Sequence, residues 1–201
     1  MAKIVIDARE LRTSTGRYIE RLLYYLQQID KTNDYTVLLK PKDIDSWTPT
    51  NKKFKKEACP FKEFTFAEQT ALLAQIKRID PELVHFGMVQ QPVLYKGKTV
   101  TTMHDLTTTR FRNPSKNWLI FTIKQMVYRW VNKRVAKKSD AIITPSEFVK
   151  DDVAKYAKIN SRKITVTYEA ADEINETPEP VNELIDQSYI FYVGRNTPHK
   201  N

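Results

Sequence analysis

The chain has 201 residues and a mass of 23.6 kDa, with 33 Lys+Arg against 24 Asp+Glu and a formal net charge of +9. This length allows one large domain, or one domain plus part of another, and 41% hydrophobic with 28% charged residues excludes a disordered or low-complexity chain. The single cysteine, Cys59, excludes an internal disulfide framework and a cysteine-rich zinc site, and no run approaches the roughly 18 apolar residues of a membrane-spanning helix. A reducing, cytoplasmic setting follows, soluble or at most peripheral to a membrane.

In chain order, Lys3 to Asp7 reads as a buried strand, followed by the turn-like stretch Leu11-Arg12-Thr13-Ser14-Thr15-Gly16. Ile19, Leu22, Leu23, Leu26 and Ile29 then recur at helical spacing and give one apolar face. Tyr35 to Leu39 is a second strand, and the polar, proline-containing stretch Lys40 to Lys53 reads as loop. Phe66 to Ile79 is an amphipathic helix ended by Asp80-Pro81. Strands over Leu83 to Phe86 and Thr99 to Met103 precede a long basic helix from Trp118 to Lys138. Ala141 to Ile143 is a short strand. Thr144-Pro145-Ser146-Glu147 has the form of a capping box with proline at the first helical position, opening a helix that runs to Ala157. Ile164 to Tyr168 is a further strand. Strands alternating with helices predict an α/β, doubly wound, mainly parallel sheet of Rossmann-like type.

The composition changes after Asp172. Residues Glu173 to Ser188 hold five acids, two prolines and no cation, as expected of an acidic interdomain linker. Tyr189 to Val193 reads as a new buried strand running into Gly194-Arg195, the start of a second domain that this chain only begins.

Charge and chemistry concentrate in few places. Leu106 to Ser139 carries nine cations and no acid, and outside it cations and acids balance at 24 each. Local charge of this kind points to an anionic partner. Trp118, Phe121, Tyr128 and Trp130 are interleaved with it, which suits an anionic membrane surface, nucleic acid, or a helix with a buried aromatic face. Gly16, flanked by Arg12 and Arg17, opens a helix after the first strand, where backbone amides can approach a phosphate. A plain helix-start glycine would look the same. His104-Asp105 ends a strand, so the imidazole can contact a sugar hydroxyl or phosphate with the carboxylate orienting it, or simply cap the strand end beside an N-cap aspartate. His85 falls inside a strand and reads as a hydrogen-bonded core histidine. Asp43-Ile44-Asp45 imitates a metal-holding D-x-D motif but sits in a polar loop with no histidine nearby, so it reads as a solvated turn.

Several stretches together resemble the retaining family 4 glycosyltransferases of the GT-B fold. They are Ile4-Val5-Ile6-Asp7-Ala8-Arg9, Thr15-Gly16-Arg17-Tyr18, Leu83-Val84-His85-Phe86 and Thr101-Thr102-Met103-His104-Asp105-Leu106, then Ile143-Thr144-Pro145-Ser146-Glu147-Phe148 and Tyr192-Val193-Gly194-Arg195 with Pro198-His199-Lys200-Asn201. Where many members have a longer T-G-I-G-R-Y loop, this chain has Thr15-Gly16-Arg17-Tyr18.

The resemblance implies that residues 1–172 are the acceptor-side domain of a GT-B fold, 173–188 the linker, and 189–201 the first strand and phosphate-binding turn of a donor domain. It implies transfer of a hexosyl unit from a nucleotide-sugar to a glycan or lipid-linked acceptor, with the fragment inactive alone. His104 and Asp105 would be catalytic, with His104 contacting the sugar. Gly16, Arg195 and Lys200 would meet the donor phosphates, supported by Arg17, Ser146 and Glu147. The cations would replace a metal, so no cofactor is expected. Lys116, Lys124, Arg129 and Lys133 would face an acceptor or the inner face of an anionic membrane, and nucleic acid is not the expected partner. Two other readings compete: a non-catalytic basic module binding membrane or nucleic acid, and a GT-B sugar-nucleotide epimerase.

Overall fold

Short β-branched and apolar runs, buried on both faces, build one all-parallel sheet. In a computed structural model, which describes residues 1–13, 15–111, 118–173, 177, 179–185 and 187–193 (the side chains of 119, 120 and 183 excepted), it has seven strands. They are β1 (Lys3–Asp7), β2 (Asp34–Leu39), β3 (Phe54–Ala58), β4 (Leu83–Phe86), β5 (Thr99–Thr102), β6 (Ala141–Thr144) and β7 (Ile164–Val166), in the order β3-β2-β1-β4-β5-β6-β7. The doubly wound expectation holds.

Alternation along the strands sends side chains to two separate cores. Ile6, Val37 and Leu39 join Ile19 and Leu23 of α1 (Gly16–Ile29) on one face. Val5, Leu38 and Val84 join Leu72 and Ile76 on the other, where α2 (Leu73–Ile79) packs. Each such side chain, fully buried, is worth roughly 1.5–3 kcal/mol. The single cysteine, Cys59, lies wholly inside the second core, its N–H donating to Leu39 O at 2.7 Å. Helices α4 (Trp118–Lys138) and α5 (Glu147–Ala157) bury Ala136, Val153 and Ala157 against Met103, Ile142 and Ile164. Between β5 and α4 lies the short helix α3 (Thr107–Arg110).

Several local details differ from expectation. The stretch after Lys40 forms a 3₁₀ turn, Pro41–Ser46, and β3 follows where none was anticipated. As an edge strand, β3 buries Phe54 and exposes or half-exposes its charged residues, so it carries no apolar alternation. The helix over residues 66–79 contains a π-helical turn, Glu68–Leu72. The cap of α5 is Ser146, whose Oγ accepts from Val149 N at 3.3 Å, so Pro145 precedes the cap instead of following it.

The chain divides into the units Met1–Glu169 and Ala170–Asn201. Within the second, Asn182–Leu184 forms a 3₁₀ turn. Tyr189–Val193 is not the buried strand expected: it has no regular secondary structure, and its side chains, Ile190 at 99% exposure among them, face solvent. A parallel strand needs neighbours for its backbone groups, and among the described residues the segment joins no strand ladder.

Candidate functional site at the carboxyl edge of the sheet

The strand order reverses direction between β1 and β4, the place where open α/β sheets bind ligands beyond their carboxyl ends. Two glycines let the chain close in there. A Cβ on Gly87, just after β4, would lie 2.1 Å from Ile19 Cδ1, so its absence allows α1 to approach and carries Tyr18 over the edge. A Cβ on Gly16 would lie 2.1 Å from Leu11 O and 2.2 Å from Glu10 O, so the loop after β1 folds over a position only glycine fits.

A polar chain links the strand ends. His85 is buried in β4, and its Nε2–H donates to Thr102 Oγ1 (2.9 Å), which donates in turn to Tyr18 Oη (2.9 Å). Burial, with the charge of His104 adding, pushes the His85 imidazole down to about 4. Burial also raises the Tyr18 phenol, with Glu169 adding. The Tyr18 ring stands edge-on to His104 at a centroid distance of 5.0 Å. His104 Nε2–H donates to Gly87 O at 3.1 Å, and Nδ1 lies 3.4 Å from a Glu169 carboxylate oxygen.

A second cluster stiffens the floor. Asp7 and Arg9 pair through two oxygens, at 2.9 and 2.8 Å, and Arg9 also reaches Glu68 (2.9 Å), Phe61 O and Gln90 O. Burial opposes the Arg9 charge, but Asp7 and Glu68 outweigh it and hold its pKa above the ordinary value. Burial raises the Glu68 carboxyl against the pull of Arg9. One guanidinium thereby ties β1, the π-helical turn and the loop after β4 together.

The structure sorts the anticipated residues. His104, Tyr18 and the Gly16 loop meet at the switch point. Gly16 does not offer its own amide, which donates to Thr13 O at 2.9 Å. Instead the first turn of α1 has no side-chain cap and no acid in it, with Arg12 and Arg17 exposed nearby. Asp105 does not orient His104; its carboxylate accepts from Thr107 N at 2.7 Å, and Glu169 takes the place at Nδ1. Ser146 is occupied with capping α5, and Glu147 pairs with Lys150 at 3.0 Å, one strand beyond β5. Arg195, Lys200 and Lys116 lie outside the described residues. Lys124 is exposed, Lys133 stacks over the Tyr156 ring at 5.1 Å, and Arg129 donates to Thr109 O at 2.7 Å, so the basic residues do not share one face. Asp43 and Asp45 sit in the 3₁₀ turn, and among the described residues no three His, Cys, Asp or Glu converge as a metal site.

Glu169 and the Arg9 cluster were not foreseen. Glu169 is 65 residues from its partner, and no local pattern joins them. The Arg9 cluster had one visible sign: opposite charges at Asp7 and Arg9 just after the apolar run Ile4-Val5-Ile6.

The family model for Glycosyltransferase Family 4 matches residues 40–173. The chain is 30% identical over 79 residues to the O-antigen chain mannosyltransferase RfbU of Salmonella typhimurium, a match covering 39% of this chain and 21% of RfbU. A variant of the wall teichoic acid polymerase TagF shares the fold with a TM-score of 0.53 and 13% identity, over 82% of this chain and 37% of that one. HepE from Anabaena, solved with UDP and glucose, gives a TM-score of 0.51 and 12% identity, over 86% of this chain and 45% of that one. The chain thus spans less than half the length of each.

Proposed function

The chain belongs to glycosyltransferase family 4, and on that premise we propose that its protein transfers a hexosyl unit from a nucleotide-sugar to a glycan or lipid-linked glycan with retention at the anomeric carbon. The hexosyl and nucleotide parts of this reading draw on RfbU, a mannosyltransferase, and HepE, which was solved with UDP and glucose. The observation that carries it is the clustering of His104, Tyr18 and the Gly16 loop at the switch point of the sheet. With Nε2–H held by Gly87 O, the His104 ring has a fixed orientation, and a sugar hydroxyl reaching Nδ1 takes the place of the Glu169 carboxylate. The uncapped first turn of α1 presents the positive end of its dipole to the donor diphosphate. Arg195 and Lys200 neutralise the charge that develops on that diphosphate as it leaves, so no metal is required. Such contacts are worth roughly 10²–10³-fold each in rate.

The test is sugar transfer by the protein that carries this chain, offered a panel of nucleotide-sugars with EDTA present. Retention of anomeric configuration, with His104→Ala, Arg195→Ala and Lys200→Ala each slowed about 10²-fold at unchanged melting temperature, is the expected result. Epimerisation of the nucleotide-sugar without an acceptor, or unchanged rates in all three variants, would overturn the reading.

The same reading extends to a membrane partner at its cytoplasmic face. No helix of the described residues is long and apolar enough to cross a membrane. On α4, however, Ile123, Met126, Val127 and Trp130 recur at helical spacing, all more than half exposed, and exposed Arg134 and Lys137 continue the same face. An apolar face with cations suits an anionic lipid surface, where a lipid-linked acceptor would be found.

A further inference from the structure

The far edge of the sheet holds a second basic feature. Parallel strands put the loop before β5 and the end of α4 at the amino edge, opposite His104. There, Lys96, Lys98, Arg134 and Lys138 line a recess of about 310 Å³, within the lower size range of ligand pockets. The recess is built by the fold. Exposed Lys96 and Lys98 flank Gly97, where a Cβ would stand 2.2 Å from the hydroxyl of the buried Tyr95, so the glycine lets the loop lie close over that ring. The Lys98 carbonyl accepts from Val84 N at 3.0 Å, and Val93 packs on Val131 and Val135 of α4. Lys138 is held by donating to Pro92 O at 2.8 Å.

The charge there is positive in excess, four cations against one acid. Asp140 is the one acid among the lining residues, and its carboxylate accepts from Thr99 N at 2.7 Å. Among the described residues, Lys96, Lys98 and Arg134 have no ion-pair partner. Burial, with Arg134 adding, pushes the Lys138 ammonium down to about 8. Converging cations in excess of their counter-charge gain energy from an anion of complementary size. The rim is apolar: Leu94 is 66% exposed, and Trp130 lies one turn before Arg134 on the exposed face of α4.

We propose that this recess seats the phosphate of an anionic lipid headgroup, with Leu94 and Trp130 against the lipid. The inference rests on the membrane reading of α4 above and adds to it a specific place for one headgroup. Two triple variants separate a seat from diffuse attraction: Lys96→Gln with Lys98→Gln and Arg134→Gln in the recess, and Lys124→Gln with Lys133→Gln and Lys137→Gln on the same helix but outside it. Each removes three charges, so diffuse attraction weakens both alike.

The experiment is co-sedimentation of the chain with vesicles of phosphatidylcholine, with and without phosphatidylglycerol, across a salt series, alongside an inorganic phosphate titration followed by amide NMR. We expect binding to phosphatidylglycerol vesicles only, with the recess variant about tenfold weaker than the other triple. The exposed pair Lys96→Gln with Lys98→Gln, which leaves α4 intact, is expected to show part of the same loss. Equal losses in the two triples overturn the recess and leave the membrane reading standing. No vesicle binding by the unaltered chain overturns both, and phosphate binding at Gly97 without vesicle binding assigns the recess to soluble anions and overturns the lipid.

Discussion

At the scale of the residue, two buried groups make the switch point sensitive to protons and to charge. The folded chain keeps His85 neutral down to about pH 4, because burial disfavours its charged form. Unfolded, that imidazole takes up its proton near pH 6.5. Between those values the unfolded state binds more protons, so stability is full above pH 6.5 and is lost as pH falls towards 4, by up to about 3 kcal/mol. Denaturant unfolding at pH 7 and pH 4.5 measures this, and His85→Gln is expected to flatten the difference. Arg9 acts by charge instead. Arg9→Met would leave the Asp7 and Glu68 carboxylates buried beside each other without a cation, a loss of about 3–5 kcal/mol. Adding Glu68→Gln to that variant is expected to restore part of the loss, read as the urea midpoint.

At the scale of the element, the sequence is most legible where burial has a period. The alternation of Ile6 and Val5 between two cores, and the i, i+4 pair Ile19 and Leu23, follow directly from side-chain geometry. The basic helix was legible for the same reason and begins and ends as anticipated, at Trp118 and Lys138. Where neighbours decide, legibility fails. β3 is set by pairing with β2, and Phe-Lys-Lys-Glu-Ala contains no strand pattern of its own. The partner of His104 is decided by where β7 exits, which places Glu169 at the edge while Asp105 serves its own turn. The sequence pattern starts α5 two residues early because Thr144 and Ser146 are both capping types, and only one is free of the sheet: Thr144 is in β6. Ser146→Ala is accordingly expected to cost about 1 kcal/mol in thermal unfolding.

At the scale of the whole molecule, the first unit carries the core clusters of the described residues. Among the described residues, none of the core clusters draws on one beyond Ile164, and the large apolar residues from Tyr189 to Val193 are exposed. Residues 1–169 expressed alone are therefore expected to unfold cooperatively, with a melting temperature within a few degrees of the 201-residue chain. A broad, non-cooperative transition would show that the later residues contribute to the fold. One interior group gives a direct view of such a transition. Cys59 is the only thiol in the chain, is closed off from solvent between two strands and a helix, and has its pKa pushed up to about 11, by burial first and the Asp7 charge next. Thiol reagents attack the thiolate, so in the native state both access and ionisation protect it. The molecule thus carries its own clock: the rate at which an alkylating reagent consumes that sulfur counts how often the β2 side of the sheet opens, with no label introduced and no second cysteine to confuse the signal.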